Sequence, residues 1–389
     1  MSSRDKTTRV DGLGLWRSWT RNFKTKQLAL LDLIDNSLDA AIEGQNCDGF
    51  TGKVHLYPDI CGKTTTGICI VNNCVNGIRP LEKVLEAYNS SKVDSGAGDI
   101  GENGVGLKQG CATLSDLSFV LVKNDSDNVE LGIIAKQLQR MDGCYLPAFT
   151  FSTKSGSSLN EQMINLFSQP NNADLAKCVA QYGAGTSSSD LSAGVERLCQ
   201  HLNHSLFNER FVFMVIINRL HQVDAKEMNA QQKLIANNML KELYTEIPRL
   251  YLHVPNSFEF MIGNKRAEFK YWPKHLVELS SFTVKINKKI PWQDMFNPTE
   301  FYELRIFVGF DGIKMTDSTA KKEMALYVYS RQSGRLISQT HDARTLCGLP
   351  AGGTEFCQGL TVIIDDAGGN LPLNPTKQDG ALCLLFVVT

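Results

Sequence analysis

Residues 30–41 read LLDLIDNSLDAA. Asp32, Asn36 and Asp39 stand four and three residues apart, so on a helix an amide and two carboxylates share one face, one above the other. Leu31, Ile34, Leu38 and Ala41 make an apolar stripe beside them. The spacing predicts a helix over 22–45 that packs by one stripe and lines a cavity with the other. An ordinary solvated polar face is the plainer alternative.

A second segment bears on that choice. Residues 98–110 read GDIGENGVGLKQG, and six glycines fall between Gly96 and Gly110. A Walker A loop needs G-x-x-x-x-G-K-[ST]. Gly101 and Gly106 have the right gap, but Leu107 stands before Lys108 and Gln109 follows it. A dinucleotide fingerprint fails as well, because Gly104, Gly106 and Gly110 leave one residue too many. The chemistry still suits phosphate. Glycines let backbone N–H groups approach an anion, a helix opening at Val105–Leu107 aims its positive end there, and Lys108 adds a charge. A flexible surface loop is the alternative.

Bulk properties narrow the class. The chain has 389 residues, 42% of them hydrophobic and 21% charged, with net charge −1, as expected of a globular protein of two or three domains. No polyanion-binding surface is evident; the basic clusters Lys285, Lys288, Lys289 and Lys321, Lys322 are short. The eleven cysteines are scattered and form no C-x-x-C pair, which favours reduced thiols in nucleus or cytosol over zinc or disulfide frameworks. No apolar run approaches the roughly 18 residues that cross a bilayer, so no membrane partner is expected.

Along the chain, 53–58 and 67–72 read as strands, 80–91 as a helix opened by Pro80, and 117–124 with 129–138 as paired strands. Residues 154–192 contain two Ser/Gly-rich stretches, KSGSS and GAGTSSSDLSAG, that read as loops. His201 and His204 read as helix surface, and 211–220 as a buried strand. A helix over 225–247 is expected to stop at Pro248. A hairpin turning at Gly263-Asn264 and further strands follow. The expected segmentation is 1–225, a connecting helix over 226–250, and a strand-rich unit over 251–389, an α+β fold throughout.

Taken together, these motifs resemble the GHKL ATPases, the superfamily of gyrase B, heat-shock chaperones and histidine kinases. The wording is closest to the microrchidia (MORC) branch. LIDNSLDA resembles its first motif, NSSK (Asn89–Lys92) the motif that opens its lid, and IGENGVGLKQG its third motif. In the second half, LYVYSRQSGRLI and GLTVIIDDAGGNLPLNPTKQD resemble the transducer-like domain and its lysine, here Lys377. The resemblance implies a Bergerat-type α/β sandwich, a mixed sheet with a helical layer, followed by a transducer-like α+β domain. It also implies ATP and Mg²⁺ as ligands. Asp32 would be the base that orients water, and Asn36 the Mg²⁺ ligand. Asp39 would sit on the adenine or ribose side, with Asn73 and Gly77 at the adenine. Ser91, Lys92, Gly101, Gly104, Val105, Gly106, Leu107 and Lys108 would surround the phosphates, and Lys377 would reach the terminal one. A homodimer in the ATP-bound state, DNA or chromatin as partner, gene silencing as role and a nuclear location (cytoplasm as the alternative) are implied by family alone.

Several positions depart from the family pattern. Asp32 stands where Glu is usual, and is shorter by one C–C bond, about 1.5 Å. Asn73 and Val75 replace the Asp and first Gly of D-x-G-x-G. Gly185-Thr186 is one candidate for a Gly-Thr motif, although Val212-Phe213 stand where it is expected. The tail GALCLLFVVT reads as a truncated or alternative end, or as a final strand. A nucleotide-sensing or nucleotide-free scaffold without turnover is therefore the rival to a slow ATPase.

Overall fold

The helix of the opening stretch is started by Thr25. Its backbone is extended and its hydroxyl accepts the N–H of Leu28 at 3.2 Å, the bond of a helix N-cap. A computed structural model describes residues 11–44, 47, 49–61, 64–86, 105–124, 127–183, 190–221, 232–269, 271–287, 301–312, 324–330, 334–340 and 358–368. In chain order these form α1 (Gly12–Trp19), α2 (Lys26–Glu43), β1 (Gly52–Cys61), β2 (Thr64–Asn73), α3 (Leu81–Leu85), α4 (Gly106–Leu114), β3 (Leu117–Asn124), β4 (Asn128–Ala135), β5 (Ala148–Ser152), α5 (Leu159–Phe167), α6 (Ala173–Gly183), α7 (Leu191–His201) and β6 (Phe211–Asn218). After them come α8 (Gln232–Leu250), β7 (Phe258–Ile262), β8 (Lys265–Arg266), β9 (Leu276–Asn287), β10 (Phe301–Asp311), β11 (Ala325–Ser330), β12 (Arg335–Thr340) and β13 (Leu360–Asp366).

The chain divides into two units, one running through Leu243 and including Ser257–Arg266, the other made of Tyr244–Asn256 and the described residues from Ala267 on. The expected segmentation cuts the chain in sequence order. The folded chain instead leaves the first unit along α8, returns for the hairpin β7–β8, and leaves again.

In the first unit, eight strands form one mixed sheet in the order β5-β4-β3-β6-β2-β1-β7-β8. Every neighbouring pair is antiparallel except β1 with β7. Strand alternation sorts its two faces. On β3, Leu117, Phe119 and Leu121 join a core with Met163, Phe167, Cys178, Val179, Val195 and Leu198 of α5–α7. Residues of the other parity meet the early helices: Gly132 of β4 faces Leu81 and Leu85 of α3, and Asn72 of β2 accepts from Ser37 of α2. Helices therefore cover both faces. The expected sandwich of sheet and helical layer is present, and a second helical layer lies on the opposite face.

Two helices of that second layer begin in or at the edge of the stretches read as loops. Ser158, the last residue of KSGSS, is an N-cap: its hydroxyl accepts the N–H of Glu161 at 3.2 Å and Glu161 accepts the N–H of Ser158 at 2.8 Å, a capping box that opens α5. Asp190 likewise caps α7, so LSAG is a first helical turn rather than loop. Helix α8 also differs from expectation, since Pro248 lies inside it. The missing N–H falls in the last turn, where one lost bond does not stop the helix.

In the second unit five strands run β12-β11-β13-β10-β9, antiparallel except β11 with β13. Leu304, Leu326, Val328 and Ile364 fill one core; Leu276, Phe307, Tyr327, Tyr329 and Ile363 fill another. No described helix is long and apolar enough to cross a membrane.

Candidate functional site at the crossing of α2 and α4

Helix α2 is enclosed on more than its apolar stripe. Leu31, Ile34 and Leu38 are buried, and so are Asp32 and Asp39, each only 5% exposed. The two carboxylates thus line an interior surface, not a solvated face. What α2 meets there is α4, and two glycines set how close the helices come. A Cβ on Gly106 would fall well inside 3.0 Å of Asp32 Oδ2; one on Gly110 would lie 2.9 Å from Leu33 Cδ2 and 3.3 Å from the carbonyl of Ala29. Part of the glycine signal that suggests a phosphate cradle is therefore the requirement for two helices to cross at contact distance.

The crossing places a carboxylate at the positive end of a helix. Val105 is the N-cap of α4 and its own side chain makes no capping bond, so it satisfies none of the first N–H groups of the helix. Asp32 stands against Gly106, the first helical residue, where an anion is favoured. One turn along α2, Asn36 is half-buried, and no described residue hydrogen-bonds its amide. Asp39 follows one turn further on the same face. Val105 and Leu107 are themselves buried, at 4% and 8% exposure, so only their backbone could meet a ligand.

Two expected ligand contacts are otherwise engaged. Lys108 is 1% exposed, and its ammonium donates to the carbonyls of Val84 at 2.5 Å and Glu86 at 2.9 Å, at the C-terminal end of α3. Helix C-termini attract cations in this way. Burial pushes its pKa down to about 8, opposed by the nearby Cys111, Cys144 and Glu86. Asn73 uses both ends of its amide on the start of β1: Oδ1 accepts the N–H of Lys53 at 2.7 Å and Nδ2 donates to the carbonyl of Thr51 at 2.9 Å. An adenine amino group would have to share that oxygen. Gly77 has room for a side chain, its imagined Cβ meeting nothing nearer than Asn124 Oδ1 at 3.4 Å. Ser91, Lys92, Gly101, Gly104, Gly185, Thr186 and Lys377 lie outside the described residues.

Sequence reasoning missed the supports of this site. Ser37 donates to Asn72 Oδ1 at 3.0 Å, tying α2 to β2, and Asn124 accepts the N–H of Ile78 at 3.1 Å, fixing the turn after Asn73. The doubled Asn72-Asn73 at the end of an apolar strand was the available signal.

His201 and His204 are not helix surface. His201 sits beneath β1 and β2, with Nδ1 3.0 Å from the hydroxyl of Tyr57 and Nε2 2.6 Å from that of Tyr182. Asp59, Cys69 and His201 offer ligand atoms within 4.8 Å of one another. Their surroundings do not suit a metal ion. Arg197 pairs with Asp59 at 2.8 Å, its guanidinium lies 4.0 Å over the Tyr182 ring, and burial pushes the Cys69 thiol well up, whereas metals bind thiolate. An organic cation already balances the carboxylate.

No family model matches the chain, and no curated protein matches it. Among solved structures, the ATPase region of Saccharomyces cerevisiae topoisomerase II is similar at a TM-score of 0.42 and 10% sequence identity, covering 90% of this chain and 76% of that one. A likeness at that score and identity says nothing of substrate or partner.

Proposed function

We infer that the first unit binds ATP with Mg²⁺ over the face of α2 that carries Asp32, Asn36 and Asp39, and hydrolyses it slowly. The observation that carries this reading is the seat of Asp32 against Gly106 at the N-terminus of α4, with the amide of Asn36 one turn away and unbonded among the described residues. Hard oxygen donors of this kind fit Mg²⁺, which keeps several waters and phosphate oxygens in its shell. Bound there, the ion would offset phosphate charge. Asp32 would orient a water, and the amides at the start of α4 would receive an anion. The ordered sequence motifs support the microrchidia-like version of this reading: a homodimer in the ATP-bound state, acting on chromatin in gene silencing, in the nucleus. That version rests on resemblance, since fold alone does not carry function.

The engaged amide of Asn73 and the engaged ammonium of Lys108 favour a second reading, in which nucleotide binds without turnover. One pair of measurements separates them. A thermal shift with ATP and Mg²⁺ tests binding; a ligand at about 100 times its Kd adds roughly 2.7 kcal/mol. Single-turnover hydrolysis with and without Asn36→Ala tests chemistry. Binding with no hydrolysis selects the second reading. No shift with ATP, or equal hydrolysis by both proteins, refutes the assigned site.

A further inference from the structure

Histidines 55 and 204 lie outside the nucleotide face and are linked in a line. Leu206 donates its N–H to His204 Nδ1 at 3.2 Å. His204 Nε2 is 2.8 Å from His55 Nδ1, and His55 Nε2 is 2.8 Å from the carbonyl oxygen of Gly263. The two ends fix the protons independently. Leu206 requires His204 Nδ1 to be bare, so that ring carries its proton on Nε2. The Gly263 carbonyl can only accept, so His55 carries a proton on Nε2. The bond between the rings is then made in one way, His204 Nε2–H to His55 Nδ1, and both rings are neutral. A third proton has no place. On His204 Nδ1 it would face the N–H of Leu206; on His55 Nδ1 it would face the N–H of His204.

The line ends on the turn of the β7–β8 hairpin. Gly263 takes the left-handed conformation, φ +57°, and its own N–H donates to the carbonyl of Leu56 at 2.7 Å. The turn is therefore held to β1 from both sides, by Leu56 and by His55. This hairpin is also the piece of the first unit that the chain adds on its way through the second: Asn256 before it and Ala267 after it belong to the other unit.

We propose that the pair His55–His204 is an acid-sensitive clasp on the turn after α7: with both rings neutral it caps Leu206 and ties that turn to β1, and protonation of either ring breaks one of those two bonds while the bond from His55 to Gly263 stays. It goes beyond the nucleotide reading and stands without it. The groups around the pair do not supply a compensating anion. On β1, Lys53 is paired with Glu209 at 2.7 Å, and Tyr57 stacks on His204, 5.2 Å between centroids, with its hydroxyl on His201. Glu259 of β7 acts on Lys53. Asp59 is paired with Arg197. Lys265 of β8 and Lys123, which donates to the carbonyls of Phe207 and Glu209, add positive charge. Burial, then the neighbouring His55 and His201, hold His204 down to about 4, and burial lowers His55. A lowered histidine stabilises the closed form above the free value of 6.5 and loses that contribution as pH falls toward 4.

Two measurements on the full-length chain test the clasp. Nitrogen chemical shifts of the imidazoles at pH 7.5 should show both histidines protonated on Nε2; an Nδ1–H form of either ring overturns the proposal. Amide hydrogen exchange at Leu206, corrected for the intrinsic effect of pH, should lose about tenfold protection between pH 7 and pH 5. His204→Asn keeps an acceptor for Leu206 without titrating and should flatten that profile, while amides of β3 stay unaffected. A profile in the natural sequence as flat as in the variant, or one equally steep in both, overturns it.

Discussion

Replacing each of the two glycines of α4 by alanine separates packing from chemistry. In a helix interior, Gly→Ala gains about 1 kcal/mol from backbone propensity. At Gly110 the new methyl would meet Leu33 Cδ2 at 2.9 Å, Leu33 Cγ at 3.0 Å and the Ala29 carbonyl at 3.3 Å. Leu33 is 3% exposed and the carbonyl is backbone, so neither yields easily, and overpacking of this sort costs about 1–3 kcal/mol. The clash outweighs propensity, and Gly110→Ala should lose about 0–2 kcal/mol by urea denaturation. At Gly106 the propensity gain is smaller, being the first helical residue, and the obstacle is a side chain, the carboxylate of Asp32. That group can rotate away at modest cost in stability but not without moving the proposed base. A misplacement on the order of 1 Å costs about a hundredfold in rate. Gly106→Ala should therefore fold nearly as well as the natural sequence and lose about a hundredfold in single-turnover hydrolysis. A Gly110→Ala protein more stable than the natural one, as propensity alone dictates, would refute the close crossing of α2 and α4.

Three further outcomes are expected. Asp59→Asn leaves the buried Arg197 guanidinium (side chain 9% exposed) without its carboxylate and should cost about 3–5 kcal/mol in the denaturation midpoint, part of it recovered in Asp59→Asn with Arg197→Met. Ser158→Ala removes the capping box of α5 and should cost about 1 kcal/mol, measured in the same way. Lys108→Met probes the buried ammonium. A lysine held down to about 8 binds its proton more weakly folded than unfolded, so the natural protein should gain stability relative to Lys108→Met as pH rises from about 8 toward 10.5. Parallel pH profiles of the two proteins would count against the burial of that charge.

The polar face and apolar stripe of 30–41, the helix opening at Val105–Leu107, the hairpin at Gly263 and the strands of both units other than β5 were legible in the sequence, because each is a local pattern: a period of 3.6 or 2, a cap or a turn residue. Asp32 and Gly106 could be named but not joined, since 74 positions separate them and only the crossing of α2 over α4 brings carboxylate to helix end. The same limit hid the second helical layer, whose Ser158 and Asp190 caps look like loop residues until a helix follows them. It also hid the histidine line from Leu206 to Gly263, which needs β1, β7 and the turn after α7 to meet. Hydrogen-bond capacity is fixed by residue type, but its direction is fixed by who stands opposite. Lys108 and Asn73 show it: sequence supplied a cation and an amide suited to a nucleotide, and the folded chain turned the one to the carbonyls of α3 and the other to the backbone of β1.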